Sequence, residues 1–167
     1  MNNQMWAPWR MGWIRGERPE GCIFCHLPTV DDGLDNLVLY RGETCYIVLN
    51  LYPYINGHSM VIPYQHSASL TELPPETLTE MMQLASVTAE AARACLKAEG
   101  FNIGINMGKA AGAGIGEHLH MHIVPRWSGD NNFLSVTAGV RVISQGLEET
   151  YALLREAINS LMGSAQR

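Results

Sequence analysis

The chain contains no run of about 18 apolar residues, the length a membrane-spanning helix requires. Its opening, MNNQMWAPWRMGWIRGERPEG, lacks the uninterrupted apolar stretch of a signal peptide. Charge is sparse: 16% of the 167 residues are Asp, Glu, Lys or Arg, and the balance is −5 at pH 7. That balance argues against the basic stripe of a nucleic-acid binder. It leaves room for a small phosphorylated ligand, which needs only a local cluster of donors. Cysteine is limited to Cys22, Cys25, Cys45 and Cys95. Without a secretory start, these predict a reducing cytoplasmic setting, where a CxxC pair reads as metal-binding or redox-active before it reads as a structural bridge. There is no internal repeat and no low-complexity tract.

What remains is one domain with an arm. Residues 1–21 are rich in Trp, Arg, Pro and Gly, and Trp6, Trp9 and Trp13 predict an irregular arm packed on the body, residues 22–167. "LVLYR", "TCYIVLN" and "HSMVIP" are short strand-like runs with turn residues between them. From Pro74 the period changes. Leu78, Met81, Met82, Ala85, Ala89, Ala92 and Leu96 follow helical spacing, which predicts a helix of about six turns stopped near Gly100. "FNIGINM" alternates again, with Phe101, Ile103, Ile105 and Met107 on one side. A final helix is expected over "LEETYALLREAINSLM", with Leu147, Leu154, Ile158 and Leu161 on its stripe. Strands and helices that do not strictly alternate predict an α+β domain, a mainly antiparallel sheet of about five strands with two main helices.

The chemistry concentrates in "EHLHMHIVPRW". His118, His120 and His122 occupy every second position, so in a strand they share one face while Leu119, Met121 and Ile123 enter the core. A single ion held by all three rings is geometrically awkward, because the first and third Cα atoms lie roughly 13 Å apart. A row of imidazoles along a phosphate substrate fits better, since neutral imidazole is a competent nucleophile and acid–base group near pH 7. The preceding loop, "GKAAGAGIG", supports that reading. Its Gly112, Gly114 and Gly116, with Ile115, could present backbone N–H groups to an anion. "GCIFCHL" supplies two thiolates, half of a tetrahedral metal site, and the adjacent His26 would crowd the chelate. Cys45 and Cys95 lie in apolar segments and are expected in the core.

At "HLHMHIV" the sequence resembles the histidine triad family of nucleotide hydrolases and transferases, whose signature is three histidines alternating with apolar residues. The resemblance runs from "CIFC" through "YIVLNLYPYINGHSMVIPYQH" to "GDNNF". Together with "MWAPWR" and "AGAGIGEHLHMHIVPRW", it points to the bacterial branch associated with diadenosine tetraphosphate phosphorylase activity. It implies that His120 is the nucleophile on the α-phosphorus of a nucleotide, forming a nucleotidyl-histidine intermediate. It further implies that His122 and backbone N–H groups around Gly114 to Gly116 hold phosphate oxygens, that His58 supports His122, and that Asn50 and Asn106 contact the ribose and the phosphates. Ala113 and Gly114 stand where many hydrolase branches carry a polar side chain, so water and inorganic phosphate both stay open as the second nucleophile. The resemblance also implies a structural zinc on Cys22, Cys25, His66 and His118, no organic cofactor, and a homodimer with the long helix in its interface. Two alternatives to dinucleoside polyphosphate cleavage stay open: hydrolysis of a nucleoside phosphoramidate or adenylate, and a nucleotide-binding regulatory role.

Overall fold

A computed structural model describes residues 21–130 and 143–165. The tryptophan arm and most of "GDNNF" lie outside the described residues. A one-turn helix, α1 (Ile23–His26), leads into five strands: β1 (Val38–Arg41), β2 (Cys45–Leu49), β3 (Ser59–Pro63), β4 (Gly100–Ile105) and β5 (Met121–Arg126). Two long helices, α2 (Pro75–Leu96) and α3 (Leu147–Ala165), complete the architecture. The strands form one sheet in the order β1-β2-β3-β5-β4, every pairing antiparallel, as the sequence predicted.

β2 and β3 are buried along their whole length, which is why "CYIVL" and "SMVIP" carry almost no polar residues. β1 closes one edge, and α3 covers it: the Tyr151 hydroxyl donates to the Val38 carbonyl at 3.1 Å. β4 forms the other edge. Its turn toward the sheet is one-sided, for Ile103 remains 45% exposed although its register partner Ile123 is fully buried.

Pro75 at the first helical position starts α2 without wasting an N–H, since the first turn has no partner for one. The stop differs from the sequence expectation. Lys97, not Gly100, takes the left-handed cap at φ +57, its N–H reaching the Ala92 carbonyl, and Gly100 opens β4 instead. Met82 also departs from the expected apolar face: it is 59% exposed, one residue and about 100° of helix away from Met81, which is buried. Thr77, Leu84, Thr88 and Ala91 join the buried face in its place. In α3, Leu154 and Ile158 are fully buried, Tyr151 joins them, and Leu161 turns outward. Cys45 is buried as expected, and Cys95 is half-buried.

One carboxylate pins the β1–β2 turn to α2. Glu80 accepts from Glu43 N, Thr44 N, Thr44 Oγ1 and Cys45 N at 2.5–3.0 Å. These bonds hold its pKa below the usual carboxylate range, against the opposing effect of burial. A second fixed point is Gly57, at φ +72, where a Cβ would come within 2.5 Å of a Leu96 methyl. Only glycine meets both conditions without strain. The tight turn it makes delivers His58 to the sheet.

Candidate active site and metal centre

The histidine segment is only partly a strand. β5 begins at Met121, so His118 and His120 lie in an extended lead-in, where the Leu119 N–H bonds to Ser67 O at 2.7 Å. Only His122 sits in the ladder, between Met60 on β3 and Gly104 on β4. The expected alternation holds: Leu119, Met121 and Ile123 are buried on one side. The three rings opposite them are also nearly inaccessible, at 0%, 5% and 9% exposure. Burying three imidazoles requires partners, and the partners define what each can do.

His118 belongs to a cysteine cluster. Its Nδ1 lies 3.3 Å from Cys22 Sγ and 3.5 Å from Cys25 Sγ, and Cys25 Sγ lies 3.3 Å from His66 Nδ1. One ligand atom from each of Cys22, Cys25, His66 and His118 falls within 4.8 Å of every other. Its Nε2 is 2.9 Å from the Pro63 carbonyl, and a carbonyl only accepts, so the ring proton sits on Nε2 and the Nδ1 lone pair faces the sulfurs. A ligating histidine normally donates its outer N–H to a carbonyl in this way. Two thiols, two imidazoles and this tautomer fit a closed tetrahedral metal site, and the four residues could hold such an ion. His26 stays exposed and outside the cluster. The fold therefore divides the triad: its first member turns to the thiols.

His120 is oriented by the same residue. Its Nδ1 is 2.9 Å from the His118 carbonyl, so it must carry the proton, and Nε2 keeps its lone pair. Phe24, the apolar residue inside the CxxC, packs on both rings, 5.6 Å from His118 and 4.9 Å from His120 between centroids. Burial lowers the pKa of His120, opposed by its bond to the His118 carbonyl. A neutral ring with one free lone pair is the form a nucleophile needs.

His122 carries the opposite tautomer. The Tyr54 N–H donates to His58 Nδ1 at 3.1 Å, and Asn50 Nδ2 lies 3.2 Å from the same atom. The His58 proton therefore sits on Nε2, 2.9 Å from His122 Nδ1, which accepts it. That leaves the proton of His122 on Nε2, a buried donor without a partner among the described residues. Burial, reinforced by the neighbouring rings, pushes His58 to a pKa of about 3 and His122 to about 4. Neither ring is a cation near neutral pH. The site thus sets a lone pair on His120 beside a donor on His122, the two rings 4.8 Å apart in an edge-on arrangement.

The remaining expected residues separate. Asn50 is committed to the histidine pair, since its Oδ1 also accepts from Tyr52 N at 2.9 Å. Asn106 lines the cavity beside His122. In the glycine loop, Gly112 at φ +85 spends its N–H on Lys109 O, and the Ala113 N–H returns to Gly108 O. The N–H groups of Gly114, Ile115 and Gly116 make no bond to a described acceptor. Arg126 is held by Asp130 and Asn102 and does not act as a loose cation. Tyr54 went unnoticed in the sequence. Its ring lies 4.3 Å from His58 and 5.7 Å from His122, and nothing in a turn sequence announces such a contact.

The HIT domain family model matches residues 33–129. The chain belongs to the HIT family. It is 37% identical over 161 residues to the AP-4-A phosphorylase of Mycobacterium tuberculosis, covering 90% of this chain and 82% of that protein. It is 31% identical over 105 residues to adenosine 5′-monophosphoramidase of Saccharomyces cerevisiae, covering 63% of this chain and 62% of the relative. Among solved structures, a zinc-bound histidine triad family protein from Mycobacterium smegmatis superposes with a TM-score of 0.70 at 36% identity, covering 86% of this chain and 96% of that one. The bacterial branch suggested by the sequence motifs and the antiparallel fold agree with these findings.

Proposed function

We propose that this protein is a nucleotidyl-transferring enzyme that cleaves dinucleoside polyphosphates of the diadenosine tetraphosphate kind at the α-phosphorus. The observation that carries the reading is the pair of complementary tautomers: a lone pair on His120 Nε2 beside an N–H on His122 Nε2 that has no partner among the described residues. Likeness to a mycobacterial AP-4-A phosphorylase supplies the substrate class.

In the first step the His120 Nε2 lone pair forms an N–P bond while the P–O bond to the rest of the polyphosphate breaks. The departing nucleoside triphosphate keeps the electron pair. Positive charge that develops on the His120 ring is met by the His118 carbonyl at Nδ1–H. His122 Nε2–H and the N–H groups of Gly114, Ile115 and Gly116 stabilise the charge on the phosphoryl oxygens. An oxygen of inorganic phosphate, or of water, then attacks the same phosphorus and the N–P bond breaks. Phosphate gives a nucleoside diphosphate, and water a mononucleotide. Asn50 and His58 act through His122, and Asn106 faces the phosphates.

Zinc suits the Cys22, Cys25, His66 and His118 set, where it would supply a structural crosslink with no open coordination position. The gathering of the CxxC pair with His66 and His118, a metal-type set and not a structural bridge, supports a reducing, cytoplasmic setting. No described helix is long and apolar enough to cross a membrane. The edge position of β4 among the described residues and the exposed Ile103 support a homodimer in which the two sheets join, with α2, whose Arg93 lies over Phe101 of β4, beside the junction.

The test is turnover of diadenosine tetraphosphate with and without inorganic phosphate, combined with acid-quench capture of labelled nucleotide on the protein. The proposal expects a labelled His120 adduct, lost in His120→Ala, and ADP that appears only when phosphate is present if phosphate is the acceptor. Full turnover by His120→Ala on both dinucleotide and phosphoramidate substrates would overturn it.

A further inference from the structure

A cavity of about 370 Å³ opens beside His122 and runs along the catalytic face of β4 and β5. Its size falls within the range of small-ligand sites, about 300–1,000 Å³. Its β5 lining residues alternate with the core, whereas β4 contributes consecutive residues from Asn102 to Ile105. Val124 and Arg126 follow His122 on β5, and Asn102 and Gly104 stand opposite on β4. Four steps of strand separate His122 from Arg126, about 13 Å. The ring of Tyr54 forms the remaining wall, 46% exposed and resting on His58.

Beyond His122 and Asn106, which face the phosphates, the chemistry of this cavity is not that of a phosphate site. Its single cation, Arg126, is engaged by both oxygens of Asp130, at 2.5 and 2.8 Å, and by Asn102 Oδ1 at 2.8 Å. With that charge neutralised, the walls offer an aromatic face, the Val124 side chain, the open backbone at Gly104 and the amide of Asn106. No described atom stands within 4 Å of where a Cβ on Gly104 would lie, so a flat group can approach the strand there. An uncharged aromatic group with hydroxyls matches these walls, and a nucleoside is such a group.

We infer that this cavity is the leaving-group subsite: it binds the second nucleoside of the dinucleotide, the base stacked on Tyr54. The inference rests on the proposed function and names the part of the substrate that function leaves unplaced. In an in-line displacement the departing group leaves on the side opposite the attacking nitrogen. Phe24 packs on the His120 ring 4.9 Å away, and the cavity opens from His122, the next ring of the triad, 4.8 Å from His120. Tyr54 then serves two ends. Its backbone N–H fixes the tautomer of His58, while its ring carries the base.

Two substrates separate the subsite from the chemistry. Diadenosine tetraphosphate carries a second nucleoside, and adenosine 5′-phosphoramidate presents the same α-phosphorus without one. The readout is the ratio of their kcat/KM values in the full chain. Val124→Trp fills the cavity beyond His122, and Tyr54→Leu removes the aromatic face while keeping the backbone N–H. The expected result is a fall of about tenfold in the ratio for each variant, the size that loss of one base–aromatic stack produces. In Tyr54→Leu the fall should sit mainly in KM for the dinucleotide. A ratio within twofold of the unsubstituted protein in Tyr54→Leu, whose exposed position tolerates the change, overturns the subsite and leaves the proposed function standing. Failure of the unsubstituted protein on both substrates overturns the function and the subsite together.

Discussion

Replacing His122 by phenylalanine keeps a ring of similar size and removes one hydrogen-bond donor. That donor is the buried Nε2–H, which has no partner among the described residues. Loss of one donor aimed at a developing oxyanion costs about 10²–10³ in kcat, and His122→Phe should fall in that range with a smaller change in KM. The substitution also strands the His58 Nε2–H, now 2.9 Å from an acceptor, in a buried position. An unsatisfied buried donor costs about 1–3 kcal/mol, so urea unfolding should detect the variant as destabilised. His122→Gln supplies an amide donor and should recover about tenfold or more of the lost rate. The assay is steady-state turnover of diadenosine tetraphosphate. Long-range ¹H–¹⁵N NMR checks the cause directly: His120 should appear protonated at Nδ1, and His58 and His122 at Nε2. A His122→Phe enzyme within threefold of the original kcat, or His122 protonated at Nδ1, would refute the reasoning.

Three further outcomes follow from the histidine pair and the cysteine cluster. The rings of His58 and His122, with pKa values of about 3 and 4, stay neutral in the fold where a free ring takes up a proton below 6.5. The unfolded chain therefore binds more protons as the pH falls, and stability should drop from pH 6.5 toward 4 by up to about 1.4 kcal/mol per pH unit per ring. Urea titrations at pH 8 and 5 measure this, and equal midpoints would contradict it. Metal analysis of chelator-free protein should find about one zinc per chain, and Cys25→Ser should lower Tm by about 5–10 °C. An unchanged Tm in Cys25→Ser would remove the structural role assigned to that cluster.

Much of the fold was legible because its signals are local. The continuous apolar runs of β2 and β3, the helical spacing after Pro75 and the alternation around His122 each reside in a few neighbouring residues. The misplacements share a cause. A lysine in a left-handed cap defeats the expectation that glycine ends a helix, and Met82 misses the buried face by one step of rotation. At the site, motif and resemblance together point to the four-residue metal set, and the fold brings those residues together. The tautomers could not be read, since they depend on Pro63 O, His118 O and the Tyr54 N–H, backbone groups that any residue type would supply. Tyr54 and Phe24 were overlooked for a related reason: their importance lies in what they touch.

His118 is anchored at both its side chain and its main chain, and this has a mechanical consequence. The ring is gripped by Cys22, Cys25 and Pro63, and the carbonyl of the same residue steers the His120 ring. A one-turn helix such as α1 has too few internal bonds to stand alone. Loosening its two sulfurs would therefore let the His120 nitrogen proposed to attack swing off target while the sheet remained intact. Alignment would be lost well before the fold, and the enzyme would fail as a misaimed tool instead of a melted one.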